Sequence, residues 1–174
     1  MHQCRSGKLL GMRISKDPNT VAIAVLRIAV GVFFTIFGQY KVFGTQFTLH
    51  GGFQEGIKGF LQGGAYPFMV PVLNGILAHG ATAVAFSVAY GEFLIGISLL
   101  TGVLSRVASI FGFLLMTAMW LSGGYPGAQA AFWQYWGASL NWSIFAVSFV
   151  VLALGRPEEL WAFRYLGTRS RGPS

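Results

Sequence analysis

The apolar residues of this chain fall into four long runs with short polar breaks between them. The first begins near Val21 and continues to Phe37, interrupted only by Arg27 and Thr35. Carried on through Gly38, Gln39, Tyr40 and Lys41, it reaches about 20 residues. At roughly 1.5 Å per residue that crosses a hydrocarbon core of about 30 Å. The second run, residues 81–104, holds one charge, Glu92. Only Ser105 and Arg106 separate it from the third, Val107–Leu121, which is ended by Ser122, Gly123, Gly124 and Pro126; short for a span, it is expected to borrow from the turn on one side and Gly123–Gly124 on the other. The fourth covers Trp142 to Leu154 and starts as early as Tyr135.

Between the first two runs the pattern changes. Phe53, Ile57, Phe60 and Leu61 recur at helical spacing, with Gln54, Glu55 and Lys58 interleaved. That predicts a short amphipathic helix at the membrane interface. Pro67 and Pro71 then introduce a second short helix over 68–79, interfacial or partly inserted. The expected fold is all-α, an integral membrane four-helix bundle with short interfacial helices between the first and second spans. Residues 1–19 read as a basic leader, 20–156 as the membrane domain, and 157–174 as a tail in which Pro157, Glu158, Glu159 and Trp161 open a short amphipathic helix.

Composition supports the same reading. Charged residues are 10% of the 174 and hydrophobic ones 54%, where soluble domains carry roughly 25% charge. Too little charge is present to clothe a soluble surface, so the lipid bilayer is the first partner. Twelve Lys and Arg against five Asp and Glu give a net charge of +7. The cations cluster at the chain ends instead of forming a stripe, so no nucleic-acid partner is expected. Arg5, Lys8, Arg13 and Lys16 precede the first run, and Arg156, Arg164, Arg169 and Arg171 follow the last. With Arg106 they put nine cations on one side, against Lys41 and Lys58 on the other. Both termini are therefore expected in the cytoplasm. Residues 125–141, uncharged and aromatic, then lie outside at headgroup depth. The first run is too long for a signal-peptide core and reads as a retained helix.

Two charges fall well inside apparent spans, Arg27 and Glu92. A charge near mid-membrane costs at least a few kcal/mol and tends to face the bundle and find a partner. The two are expected to pair, either to fix helix rotation or to form a proton-, quinone- or substrate-contacting site. Lys41 and Tyr40, near the outer end of the first helix, are candidate contacts for an anionic or headgroup ligand. The competing reading makes Lys41 an interfacial anchor. Gly31, Gly38, Gly91, Gly96 and Gly102 are expected inside the bundle, where small residues let helices approach. Cys4 is the lone cysteine, and no CxxC, HExxH or close histidine pair occurs, so no metal or haem site is expected. A quinone needs no covalent signature and remains open as a cofactor.

LRIAVGVFFTIFGQYKVFG at 26–44 resembles the first-helix pattern of the DoxX/DoxD membrane family, through Arg27, Gly31, Gly38 and Lys41. GEFLIGISLLTGVLSR at 91–106 resembles its second-helix motif, through Glu92, Gly96, Gly102 and Arg106. The likeness runs over roughly 20–155. The chain departs from the family pattern in its long segment between the first two spans and in its aromatic loop. The resemblance implies a bacterial or archaeal cytoplasmic-membrane protein. Named members form the membrane part of thiosulfate:quinone oxidoreductase; others accompany thiol or oxidative-stress systems. It therefore implies a membrane subunit associated with a redox system, working beside another membrane or peripheral redox protein and passing electrons to quinone. A non-catalytic structural or assembly subunit, or a small transporter, is the alternative. A homo-oligomer is left open.

Overall fold

A computed structural model describes residues 18–155. The basic leader with Cys4 and the short amphipathic helix expected from Pro157 lie outside the described residues. Seven helices make up the described chain: α1 (Pro18–Phe43), α2 (Gly52–Gly63), α3 (Val70–His79), α4 (Ala81–Thr101), α5 (Ser105–Gly123), α6 (Phe132–Gly137) and α7 (Leu140–Leu154). Three of them, α1, α4 and α5, are long and apolar enough to cross a membrane. Only 28–33% of their most apolar stretches is buried within the protein. The remainder is apolar surface that water would not tolerate at this extent.

The long helices form a closed cycle. α1 packs on α4, α4 on α5, α5 on α7, and α7 on α1. Val30, Phe34, Ile95, Leu99, Met116, Phe149 and Leu152 fill the space between them. Ile23 abuts Gly155, so the described chain begins and ends at one end of the bundle, the terminal end. At the other, the loop end, Phe53 and Ile57 of α2 and Leu73 of α3 pack on Ala81 and Ala85 of α4. The expected amphipathic helix is therefore real, and its apolar face is spent on the protein. Glu55 and Lys58 remain exposed on its other face. Tyr66 N–H donates to Leu121 O at 3.1 Å and Tyr125 N–H to Gly64 O at 2.8 Å. These bonds tie the α2–α3 connection to the end of α5.

Two boundaries are set by local residues. The third run draws in Ser105 and Arg106 on one side and Gly123 on the other, as its short length predicts, and all three are helical in α5. Gly102 stops α4 in the left-handed conformation at φ 76°, which glycine adopts without steric cost. The last run is not one helix from Tyr135. It breaks into α6 and α7 at Ala138–Ser139, next to Gly137, a poor helix former. The 15 residues of α7 span only about 22 Å.

Candidate functional site

Glycines decide how α1 meets α4. A Cβ on Gly38 would lie 2.6 Å from Phe93 Cα, and one on Gly96 would lie 2.5 Å from Thr35 Oγ1. The two backbones are thus in contact, and the register is fixed: Gly38 faces Phe93, Thr35 faces Gly96 and Gly31 faces Leu100. Lys41 stands one turn beyond Gly38, and Glu92 one turn before Gly96, so the seam presents them to each other. Lys41 Nζ donates to both carboxylate oxygens of Glu92, at 2.7 and 2.6 Å. The carboxylate is the more enclosed partner, with 5% of its side chain exposed against 20% for lysine. Nζ also sits 4.9 Å from the centroid of the Phe47 ring, a cation–π contact from the loop after α1.

The expected partnership of Arg27 with Glu92 is not formed. Lys41 takes that place. Pairing Arg27 with Glu92 would require the ends of α1 and α4 to be nearly level at the terminal end. The observed register offsets them. Arg27 lies beyond the level of Leu100, beside the α4–α5 turn, and about 17 Å along the axis from Gly38. It is fully buried there. Tyr40 is 72% exposed and does not line the cavity beside the ion pair. Gly91 also departs from expectation, since no atom lies within 4 Å of where its Cβ would be. Gly112 does the work instead on α5, where a Cβ would come 2.7 Å from Phe149 Cδ1.

Beside the pair is a cavity of about 260 Å³ between α1, α4, α5 and α7. Phe34, Phe37, Met116, Met119, Trp142 and Phe145 form its apolar walls. Lys41, Glu92 and Asn141 are its polar members. Phe37 and Asn141 are exposed, which puts the mouth on the flank between α1 and α7. Phe34 makes edge contacts with Phe145 of the wall and with Phe149 behind it, at 5.7 and 4.9 Å between centroids. Such a space suits a flat apolar ring with a hydrogen-bond acceptor. Lys41 and Glu92 were each legible in the sequence. Asn141, Trp142 and the two methionines gave no signal, because their role comes from α7 closing against α1.

Other chemistry-bearing residues lie apart. His50 Nδ1 is 3.2 Å from Thr45 O, and His79 Nδ1 is 3.3 Å from Gly75 O. Among the described residues no three His, Cys, Asp or Glu side chains converge. Tyr66, Tyr125 and Tyr135 cluster at the loop end. Burial pushes the Tyr66 phenol above its usual value, and the two neighbouring phenols add to the shift.

Comparison with known families gives one result: the DoxX family model matches residues 22–124. The match covers α1 to α5, with Arg27, Lys41, Glu92 and Arg106 inside it, and stops before α6. No curated protein and no solved structure gives a significant match. A family model covering more than half of the chain, together with three membrane-length apolar helices, places this protein among the multi-pass membrane proteins of the DoxX family.

Proposed function

We propose that this chain is the quinone-binding membrane subunit of a redox system, with electrons supplied by a partner protein. The observation that carries the reading is the bidentate Lys41–Glu92 pair set in the wall of an aromatic cavity that opens on the bundle's flank. A quinone is dissolved in the bilayer, so a lateral mouth beside Phe37 is the entrance it would need. The cavity has room for a substituted ring, and the tail would stay outside. Lys41 would donate to a ring carbonyl, and Asn141 offers a second polar contact. A quinone supplies the capacity to accept two electrons and two protons. Glu92 holds the ammonium in place through its two hydrogen bonds, and the apolar walls would take the ring.

The same reading places the fourth crossing in α6 and α7 together and puts both termini in the cytoplasm. The nine-to-two imbalance of cations supports that orientation. The site then opens in the outer leaflet. The setting is a bacterial or archaeal cytoplasmic membrane, as for the thiosulfate:quinone oxidoreductase subunits that the family includes.

A second reading rests on a different observation. The ion pair bridges the seam where α1 and α4 touch backbone to backbone, which suits a purely structural lock. Purification from the native membrane in mild detergent, with mass spectrometry of co-purifying chains and lipids, separates the two. The quinone reading expects bound quinone and a redox partner. Finding neither would remove it.

A further inference from the structure

Lys41 is held from two directions. Glu92 takes two of the three N–H groups that an ammonium offers. The Phe47 ring stands on another side, its centroid 4.9 Å from Nζ. At that distance the ring attracts the charge as a whole and is not the hydrogen-bond partner of one N–H. The third N–H therefore stays available to a ligand in the cavity that Lys41 lines.

Phe47 does not reach Lys41 by helical spacing. In a continued α1, residue 47 would stand about 120° round the helix from residue 41. α1 ends at Phe43, and Thr45 turns the chain back with φ at 34°, a left-handed conformation uncommon for a residue with a Cβ. Thr45 O then accepts from the N–H groups of Leu49 and His50, at 2.7 and 3.3 Å, so Phe47 sits in a closed turn. The turn is fastened to α2, which has no side-chain cap. Gly52 N–H donates to Gln46 O at 3.0 Å and Phe53 N–H to Phe47 O at 3.1 Å. These bonds satisfy donors that a helix start otherwise leaves open. Gly52 permits the approach, because a Cβ there would lie 2.8 Å from Gln46 O. The Phe47 ring meets the Phe53 ring edge-on at 5.5 Å, and Phe53 is buried in the cluster with Ile57, Leu73 and Ala85. Backbone and ring of Phe47 are thus both fixed by α2.

We propose that Phe47 is a positioning residue of the site: its ring face keeps the Lys41 ammonium in the cavity wall, where the third N–H meets the ligand. The inference rests on the quinone reading for the ligand, and on the geometry of the loop for the hold on Lys41.

The test uses the full chain in mild detergent, with pentafluorophenylalanine in place of Phe47. That side chain keeps the shape and apolar surface of the ring but withdraws the negative face that attracts a cation. Phe47→Tyr keeps the face. Acetylation of Lys41 by acetic anhydride, relative to the exposed Lys58 of the same chain, reports how firmly the amine is held. Titration with duroquinone, followed through Trp142 fluorescence, reports ligand affinity. The fluorinated protein is expected to acetylate at Lys41 about threefold faster or more, and to bind duroquinone about threefold more weakly. Phe47→Tyr should stay within about twofold of the wild type on both. An unchanged acetylation ratio in the fluorinated protein overturns the proposal, and saturable duroquinone binding then leaves the quinone reading standing. A raised ratio with unchanged affinity in a protein that does bind duroquinone overturns it too. So does an equal effect of tyrosine and the fluorinated ring, which would make the contact one of packing alone. A raised ratio with no saturable binding even in the wild type supports the hold of Phe47 on Lys41 and removes the quinone reading.

Discussion

Leucine in place of Gly38 is expected to prevent the bundle from assembling. At this position the backbone of α4 occupies the space that a side chain needs: a Cβ alone would lie 2.6 Å from Phe93 Cα and 2.9 Å from Phe93 Cβ. Neither neighbour is the free end of a flexible side chain, so the two helices would have to move apart. That movement breaks the contact of Gly96 with Thr35 and the approach of Gly31 to Leu100 on the same seam. Overpacking costs about 1–3 kcal/mol where a side chain can yield, and more where backbone must move. The expected loss is therefore at least about 3 kcal/mol, read as a fall in monodisperse yield and in the thermal midpoint of helicity. Gly56→Leu is the control, because nothing lies within 4 Å of that position. Equal melting of the Gly38 and Gly56 variants would contradict the register described for α1 and α4.

The second large effect is asymmetric within the ion pair. Lys41→Met leaves the Glu92 carboxylate with 5% of its side chain exposed and without its two charge-assisted hydrogen bonds. Removing one partner of a buried pair costs about 3–5 kcal/mol. Glu92→Gln should cost about half as much. Lys41 is 20% exposed and sits near the loop end, where its long stem can carry the ammonium toward water, and the glutamine still accepts a hydrogen bond. Lys41→Met combined with Glu92→Leu should recover most of the loss, since apolar replacement of a buried pair is often neutral. Thermal midpoints of the three variants check the order. A double variant less stable than either single one would show that Lys41 and Glu92 do not act as a couple.

The sequence carried the helical membrane character well, because periodicity and charge scarcity are local properties. The runs 81–104 and 107–121 became α4 and α5 with shifts of only a few residues at their ends. Phe53 and Ile57 marked the buried face of α2. Individual site residues were also visible, since Glu92 and Lys41 stand out in apolar surroundings. Their pairing was not. It depends on an offset between two antiparallel helices, and that offset is set by Gly38 and Gly96 touching the opposite backbone. The positions of Arg27 and Glu92 within their own runs made them candidate partners; the register between the helices brings Lys41 to Glu92 instead. The break at Ala138–Ser139 was hidden for a related reason. Residues 135–154 carry no charge, and Gly137 and Ser139 do not by themselves announce the change of direction that loop-end packing imposes.

Stability and ligand binding separate in the double variant, Lys41→Met with Glu92→Leu. A short-chain quinone titrated into the detergent-solubilised protein should quench tryptophan fluorescence saturably, because Trp142 lines the cavity. The Trp142→Phe variant identifies that component of the signal. If the polar pair is the quinone contact, the folded double variant loses the saturable component although its thermal midpoint is restored. Saturable quenching of the same amplitude and midpoint in that variant would contradict the account and leave the pair as a lock between α1 and α4.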